Sequence, residues 1–189
     1  PAQRRAHERS ADDGPESPGR PTHVRNAVLA AFAGGAILSY LLRVSVAAAA
    51  TTIQADLHVS NLEMGDILSA FFVGYLWVQI PAGWLGHRLG ARLALTIMGL
   101  SWAVAMAVTA TAQTPLVLYC SRVALGAGQA GLFAVTIMAI RDWFPASRRG
   151  MTSATITSCR SVGALLANGL TVRLMVPFGW RGTFLIYSG

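Results

Sequence analysis

Long apolar runs separated by short polar segments make up most of the chain after residue 25. Five of these runs reach the roughly 20 residues that a helix needs to cross the hydrocarbon core of a bilayer. They cover residues 27–50, 67–86, 93–112, 115–140 and 151–172, and a sixth run begins near Thr183 and is cut at Gly189. None of them alternates apolar and polar residues as a strand does. The pattern therefore predicts an all-α, polytopic membrane protein.

The first 25 residues have a different character. They are rich in Pro, Gly and Ser and hold five arginines against four acidic residues. Such a segment buries too little apolar surface to fold, so we expect a disordered tail over 1–25 and a transmembrane bundle over 26–189. A cleaved signal peptide ending at the alanines 47–50 is the alternative. Its apolar region would be about 7–15 residues long, whereas this run exceeds twenty and contains Arg43.

Composition and charge narrow the class of protein further. Only 12% of the 189 residues are charged and 53% are hydrophobic, whereas a soluble domain carries roughly 25% charged residues. The net charge of +7 comes entirely from arginines. A basic soluble protein would suggest nucleic-acid binding, but these arginines lie mostly between the apolar runs, so no nucleic-acid partner is expected.

Metal, cofactor and enzymatic chemistry have little support in the sequence. Cys120 and Cys159 both fall in apolar runs, and the histidines lie in the tail and loops. An intramembrane enzyme would need a nucleophile with its base, or metal ligands, inside the spans. We therefore expect no metal site, no cofactor and no enzymatic activity.

Arginines in the short loops predict the orientation, because positively charged loops stay in the cytoplasm. Apart from the tail, they occupy the connections after the second and fourth runs: Arg88, Arg92, Arg141, Arg148 and Arg149. The connections after the first and third runs have none. The N-terminus is therefore predicted to be cytoplasmic. Arg173 and Arg181, in the fifth connection, are exceptions to this pattern.

Three arginines lie inside the predicted spans: Arg43, Arg122 and Arg160. A charge at the centre of a membrane helix costs about 2.5–3.5 kcal/mol on insertion scales and normally faces a cavity or a partner. No Asp, Glu, His or Lys lies well inside any span. The simplest partner is an anionic ligand, because the forked guanidinium donors match a carboxylate. Snorkelling to the membrane surface is the alternative for Arg43 and Arg122, whereas Arg160 is nearest the midplane.

Polar neighbours extend this candidate site. Tyr40 lies three residues before Arg43 and Gln129 seven after Arg122, so each pair shares a helix face. The predicted substrate-binding residues are Tyr40, Arg43, Tyr75, Arg122, Gln129 and Arg160. Hydroxyls bonded simply across neighbouring helices are the alternative for the tyrosines. The pattern G-x-G-x-x-G at 126–131 lies inside an apolar run, which indicates close helix packing and not dinucleotide binding.

Several segments resemble a known family. GWLGHRLGAR at 83–92 resembles the loop signature G-x-L-x-D-R-x-G-x-R of the major facilitator superfamily, between its second and third helices. YLLRVSVA at 40–47 resembles the Y-x-D-R stretch of the anion:cation symporter branch, whose members carry sugar acids, phthalate and tartrate. The segment 122–129 is similar to that branch's R-x-x-x-G-x-G-E, and GWR at 179–181 to its turn into the sixth helix.

The resemblance implies a fold and an activity. The fold would be the N-terminal six-helix bundle of a major facilitator protein, truncated at the start of helix six, in the cytoplasmic membrane of a bacterium. The activity would be secondary active transport of small organic anions by alternating access, together with a missing C-terminal transmembrane half. Arg43 would bind the substrate carboxylate. The gating loop would contain Gly83, His87, Arg88, Gly90 and Arg92.

Three positions depart from the family pattern. Leu42 replaces the acid of the first helix, Gln129 the glutamate of the fourth, and His87 the aspartate of the loop. In the family the first two carboxylates are associated with proton coupling, and neither Leu nor Gln titrates, so an exchanger or uniporter is expected. Histidine has an unperturbed pKa of about 6.5, so His87 would make gating pH-sensitive, unless it is an inert loop residue. The alternative function is a truncated or degenerate membrane protein that transports nothing.

Overall fold

Helices account for almost all of the structure. The computed structural model describes residues 22–189, apart from the side chains of Thr22, Val24, Leu85 and His87. The helices are α1 (Thr22–Ala48), α2 (Ala50–Leu57), α3 (Asn61–Ala110), α4 (Pro115–Gln129), α5 (Leu132–Trp143) and α6 (Ala146–Ser188). The predicted tail of residues 1–25 lies outside the described residues up to residue 21, and its last four residues, 22–25, belong to α1. Residues 22–189 contain no strand, so the predicted all-α fold is confirmed.

Five stretches of the described helices are long and apolar enough to cross a membrane. They are numbered here as spans 1 to 5: Arg25–Ala48, Asn61–Trp84, Arg88–Ala110, Pro115–Trp143 and Ala146–Ser188. Large apolar side chains cover their outer faces, among them Trp77 (80% exposed) and Ile80 (84% exposed). Soluble monomers rarely expose large contiguous apolar patches. Lipid chains or further helices are the surroundings that suit such a surface.

Two glycines divide the longest helices. Gly90 (φ 76°) bends α3 near the start of span 3, and Gly179 (φ 64°) bends α6. Glycine adopts positive φ without the steric cost that a Cβ would impose. The short segment after Gly179 carries the start of the sixth apolar run, which was predicted near Thr183. The backbone is not helical at either glycine, so α3 and α6 each consist of two helices that meet there.

The spans pack mainly in two pairs, α1 against α6 and α3 against α4. Small residues bring the backbones together at both crossings. A Cβ on Gly163 of α6 would lie 2.2 Å from the carbonyl oxygen of Ile37, and a Cβ on Gly126 would lie 2.0 Å from that of Phe71. Gly126 belongs to the G-x-G-x-x-G pattern, which therefore serves helix packing at this position. These contacts set the distance between the spans around the cleft described below.

Side chains satisfy the helix ends that border the loops. Ser60 and Glu63 form a reciprocal capping box at the start of α3, with the Ser60 N–H donating to the Glu63 carboxylate at 2.9 Å. At the other end of the bundle, Arg149 donates to the carbonyls of Phe144 and Arg141, each at 3.0 Å. A cation at these last carbonyls also complements the helix dipole of α5.

One ionic cluster joins three connections at the Asp56 end of the bundle. Arg181 donates to the carboxylate of Asp56 and, at 3.1 Å, to the carbonyl of Ala112, while the Trp180 indole donates to Asp56 at 3.2 Å. The hydrogen bond from Arg181 holds the pKa of Asp56 below its ordinary value. Arg181, an exception to the loop charge pattern, is thus paired with a local acid.

Candidate anion-binding cleft

A small cleft lies between spans 1, 2, 4 and 5. Its lining residues are Ser39, Tyr40, Arg43, Tyr75, Gln129, Leu132, Phe133 and Arg160. Five of the six predicted substrate-binding residues line the cleft. The sixth, Arg122, does not. The cleft encloses about 40 Å³, which accommodates a few water molecules but is too small to enclose an organic acid. None of the four acidic side chains of residues 22–189 lines it.

Aromatic rings hold the guanidinium of Arg43 at the cleft. Its central carbon lies 4.5 Å from the ring centroid of Phe71, 4.9 Å from that of Phe72 and 5.5 Å from that of Tyr40. Cation–π contacts of this kind stabilise a charge by about 0.5–2 kcal/mol without occupying its N–H groups. Those N–H groups therefore remain available to a ligand.

Arg160 approaches the cleft from α6. Its guanidinium carbon lies 5.4 Å from the ring centroid of Phe133 and 6.0 Å from that of Tyr40. Its Nε is buried and has no hydrogen-bond partner in the described part of the chain. The ring of Tyr40 is therefore shared by two guanidinium groups, those of Arg43 and Arg160.

Arg122 lies behind the cleft and does not line it. The side chain is 2% exposed, and its Nη2 donates to the main-chain carbonyl of Arg43 at 3.0 Å. Its Nε and Nη1 find no partner among residues 22–189. The Arg122 side chain is therefore buried against α1 and does not extend to the membrane surface. Unpaired buried donors cost about 1–3 kcal/mol each, so Arg122 is held in the bundle at a cost to stability.

Two of the departures from the family pattern are built into the packing. Gln129 is 5% exposed, and its Nε2 donates to the carbonyl of Ser39 at 3.0 Å. Leu42 is 1% exposed and belongs to the hydrophobic core. Position 129 thus supplies a hydrogen-bond donor and position 42 an apolar side chain.

The predicted gating loop lies around the bend of α3. Gly90 is the residue with positive φ, and the guanidinium carbon of Arg88 lies 4.1 Å from the ring centroid of Trp84. A Cβ on Gly83 would lie 3.4 Å from the Cβ of Ala134 in α5. Arg92 is exposed, and the side chain of His87 lies outside the described residues. The gating role of this loop stays a prediction.

Sequence reasoning missed the aromatic side chains that contact the arginines and the hydrogen-bond partner of Gln129. Phe71, Phe72 and Phe133 contact the guanidinium groups, and Ser39 accepts from Gln129. One signal was available, since Phe71 lies four residues before Tyr75 and shares its helix face. The others carry no sequence signal, because nothing distinguishes them from the lipid-facing residues of the same runs.

The spans, the exposed apolar faces and the polar groups inside the bundle define a multi-pass integral membrane protein. The model of the Major Facilitator Superfamily matches residues 32–189. The chain belongs to this superfamily.

Individual relatives give the same picture. The chain is 32% identical over 152 residues to a hexuronate transporter of Escherichia coli, which covers 80% of this chain and 35% of the relative. It is 28% identical over 149 residues to a probable sulfoacetate transporter of Cupriavidus necator, over 79% of this chain and 35% of the relative. The chain thus spans about a third of the length of these curated relatives.

A solved structure shows the same fold. A bacterial homologue of the human lysosomal transporter Spinster, in an inward-facing and occupied conformation, superposes with a TM-score of 0.76. The match has 19% sequence identity and covers 87% of this chain and 41% of that one. At this identity the likeness concerns the fold alone.

Proposed function

We propose that the chain is part of a secondary active transporter that moves small organic anions by alternating access. The observation that carries the proposal is the cleft in which Arg43 and Arg160 meet and which no described acidic side chain lines. Charges removed from water need a compensating partner, and an anionic substrate supplies it. The relatives named for hexuronate and sulfoacetate transport support this substrate class, because both compounds are organic acids.

Each predicted residue has a distinct role in this proposal. Arg43 pairs with a substrate acid group, and the hydroxyls of Tyr40 and Tyr75 bond to substrate oxygens. Arg122 acts from behind, because its hydrogen bond to the Arg43 carbonyl ties span 4 to the part of span 1 that carries the site. Gln129 completes the wall and positions Ser39 through the 3.0 Å bond.

A second bundle is part of the proposal. The cleft of about 40 Å³ is too small for an organic acid, and the chain covers about a third of its relatives. In transporters of this type the substrate binds near the midplane between two bundles that rock against each other. We place the protein in the cytoplasmic membrane of a bacterium, with the N-terminus in the cytoplasm and the 83–92 loop as part of the gate.

The coupling follows from the two replaced acids. Leu42 cannot carry a proton. The amide of Gln129 does not titrate either, and it donates to the Ser39 carbonyl at any pH. The expected mode is therefore anion exchange or uniport.

The first test is the length and activity of the natural product. Intact mass and transcript sequence read past Gly189 are expected to show a chain about twice as long with six further apolar spans. Purified and reconstituted in liposomes, that product is expected to take up hexuronate, tartrate or sulfoacetate in a saturable manner. A product that ends near Gly189 and takes up none of them would instead support the non-transporting membrane protein.

A further inference from the structure

Two guanidinium groups from different helices share one aromatic ring in the cleft. The central carbons of Arg43 and Arg160 lie 5.5 Å and 6.0 Å from the ring centroid of Tyr40. They are therefore no further apart than the sum of these two distances. Among the described residues, neither guanidinium forms an ion pair and neither donates a side-chain hydrogen bond to the protein. Both forks are free to bind a ligand.

The backbone holds the two arginines in this arrangement. Gly163 follows Arg160 by less than one helical turn, and Ile37 precedes Tyr40 by the same interval. At this crossing a Cβ on Gly163 would lie 2.2 Å from the Ile37 carbonyl oxygen, so α1 and α6 are in backbone contact. A crossing this tight leaves little room for the arginines to move apart. The crossing thus fixes the distance between the two helix backbones that carry the arginines, and the shared Tyr40 ring keeps both guanidinium groups at the cleft.

We propose that Arg160 makes the cleft select substrates with two acidic groups, one paired with Arg43 and the other with Arg160. This inference rests on the proposed transport of organic anions and names the class of anion. A short diacid, such as a dicarboxylate or a carboxylate with a sulfonate, has the length to bridge two guanidinium groups at this separation. Charge-assisted hydrogen bonds to both forks fix its orientation.

One-acid and two-acid substrates differ in how many of the two cleft arginines they can pair. A substrate with one carboxylate pairs with one arginine and displaces water from the other, which leaves a desolvated cation without a partner. A diacid pairs both cations, and the third one, on Arg122, is shielded from direct contact by its burial behind Phe71. Sites with buried hydrogen-bonding groups reject analogues that leave those groups unpaired. The cleft therefore favours the diacid.

The test compares uptake of one-acid and two-acid substrates by the natural full-length product in liposomes. Sulfoacetate and tartrate carry two acidic groups, and galacturonate carries one. Arg160→Gln keeps hydrogen-bonding capacity and removes the charge. It is expected to raise the KM for sulfoacetate and tartrate by about tenfold or more, the effect of losing about 1.4 kcal/mol. The KM for galacturonate is expected to fall or stay the same, because the variant no longer leaves an unpaired cation beside a one-acid substrate. Arg160→Lys is expected to retain most of the diacid affinity.

Arg173→Gln is the matched control, because Arg173 is an exposed arginine of the same helix outside the cleft. It is expected to leave all three KM values unchanged. Equal losses for one-acid and two-acid substrates in Arg160→Gln, or no loss for either, would overturn the selectivity assignment. If that variant does not fold, the native protein decides the matter through competition, where galacturonate displacing sulfoacetate at equal concentration contradicts the proposal. Failure of the proposed function itself is a different result, namely a native protein that takes up none of the three acids.

Discussion

The side-chain amide of Gln129 donates a hydrogen bond of 3.0 Å to the main-chain carbonyl of Ser39. The bond joins span 4 to span 1 at the wall of the cleft, and both residues are buried. It requires a donor at position 129. An amide donates at every pH, whereas a carboxylic acid donates only while it is protonated. The glutamine therefore keeps the hydrogen bond between spans 4 and 1 at every pH, whereas an acid at position 129 would form it only when protonated.

The substitution Gln129→Glu is expected to make uptake depend on pH. Once ionised, the introduced side chain would place a carboxylate against the Ser39 carbonyl, so the native arrangement returns only as the pH falls and the acid is protonated. Initial uptake rates measured across the neutral and mildly acidic range are expected to rise toward acid in the variant and to stay flat in the native protein. Gln79→Glu, at an exposed position of span 2, is the control and should stay flat. Strong acid stimulation of native uptake would contradict the account.

Replacing Arg122 with Met is expected to leave the apparent melting temperature unchanged or to raise it, while uptake falls. The substitution loses one charge-assisted hydrogen bond, to Arg43, which contributes about 1.5–3 kcal/mol. It also removes two unpaired buried N–H groups, each of which costs about 1–3 kcal/mol. Thermal unfolding in detergent and uptake in liposomes measure the two effects. A melting temperature several degrees lower would show that all donors of Arg122 are paired in the native protein.

Replacing Gly163 with Ala is expected to destabilise the contact between α1 and α6. The added Cβ would lie 2.2 Å from the Ile37 carbonyl oxygen, which is backbone and cannot turn away as a side chain does. Overpacking of this kind costs typically about 1–3 kcal/mol. Gly169→Ala is the matched control on the same helix, since a Cβ there meets nothing within 4 Å and Ala is a better helix former than Gly. Equal melting temperatures for the two variants would exclude a backbone contact at Gly163.

Replacing Asp56 with Asn is expected to lower the thermal stability at neutral pH by breaking the ion pair with Arg181. Because the hydrogen bond from Arg181 lowers the pKa of Asp56 below 3.8, the native advantage is fully present above that pH. It is lost as the pH falls through the lowered pKa, since protonation removes the charge that Arg181 binds. Melting temperatures of native and variant protein measured against pH are expected to differ by a constant amount near neutrality and to converge in strong acid. Asp66→Asn, at an exposed acid without an ion pair among the described residues, should show no such difference.

The sequence predicted what the bilayer imposes on the chain. A spanning helix must be long and apolar, so the number of candidate spans could be read from the runs alone. Charges inside those runs are costly, which identified Arg43 and Arg160 as residues that need a polar surrounding. The same reasoning named Arg122 but could not place it behind the cleft, because its position depends on where span 4 contacts span 1.

Contacts between distant segments could not be predicted. Phe71 and Phe133 face arginines, yet in an apolar run the residues that face lipid look the same as those that face the interior. The pair Asp56 and Arg181 is formed by residues 125 positions apart, so only the fold brings them together. Arg181 departs from the loop charge pattern because it pairs with Asp56, and no local sequence pattern reveals a partner so distant along the chain.

The central claim is that the arginine cleft binds the organic anion that the protein moves. Its most direct test is saturable uptake of sulfoacetate and galacturonate into liposomes by the natural full-length product, by Arg43→Ala and by the exposed-site control Arg173→Ala. The account predicts uptake by the native protein and the control, and a loss of about tenfold or more in Arg43→Ala, because a single charged contact contributes at least about 1.4 kcal/mol. Uptake by Arg43→Ala at the native rate would contradict it.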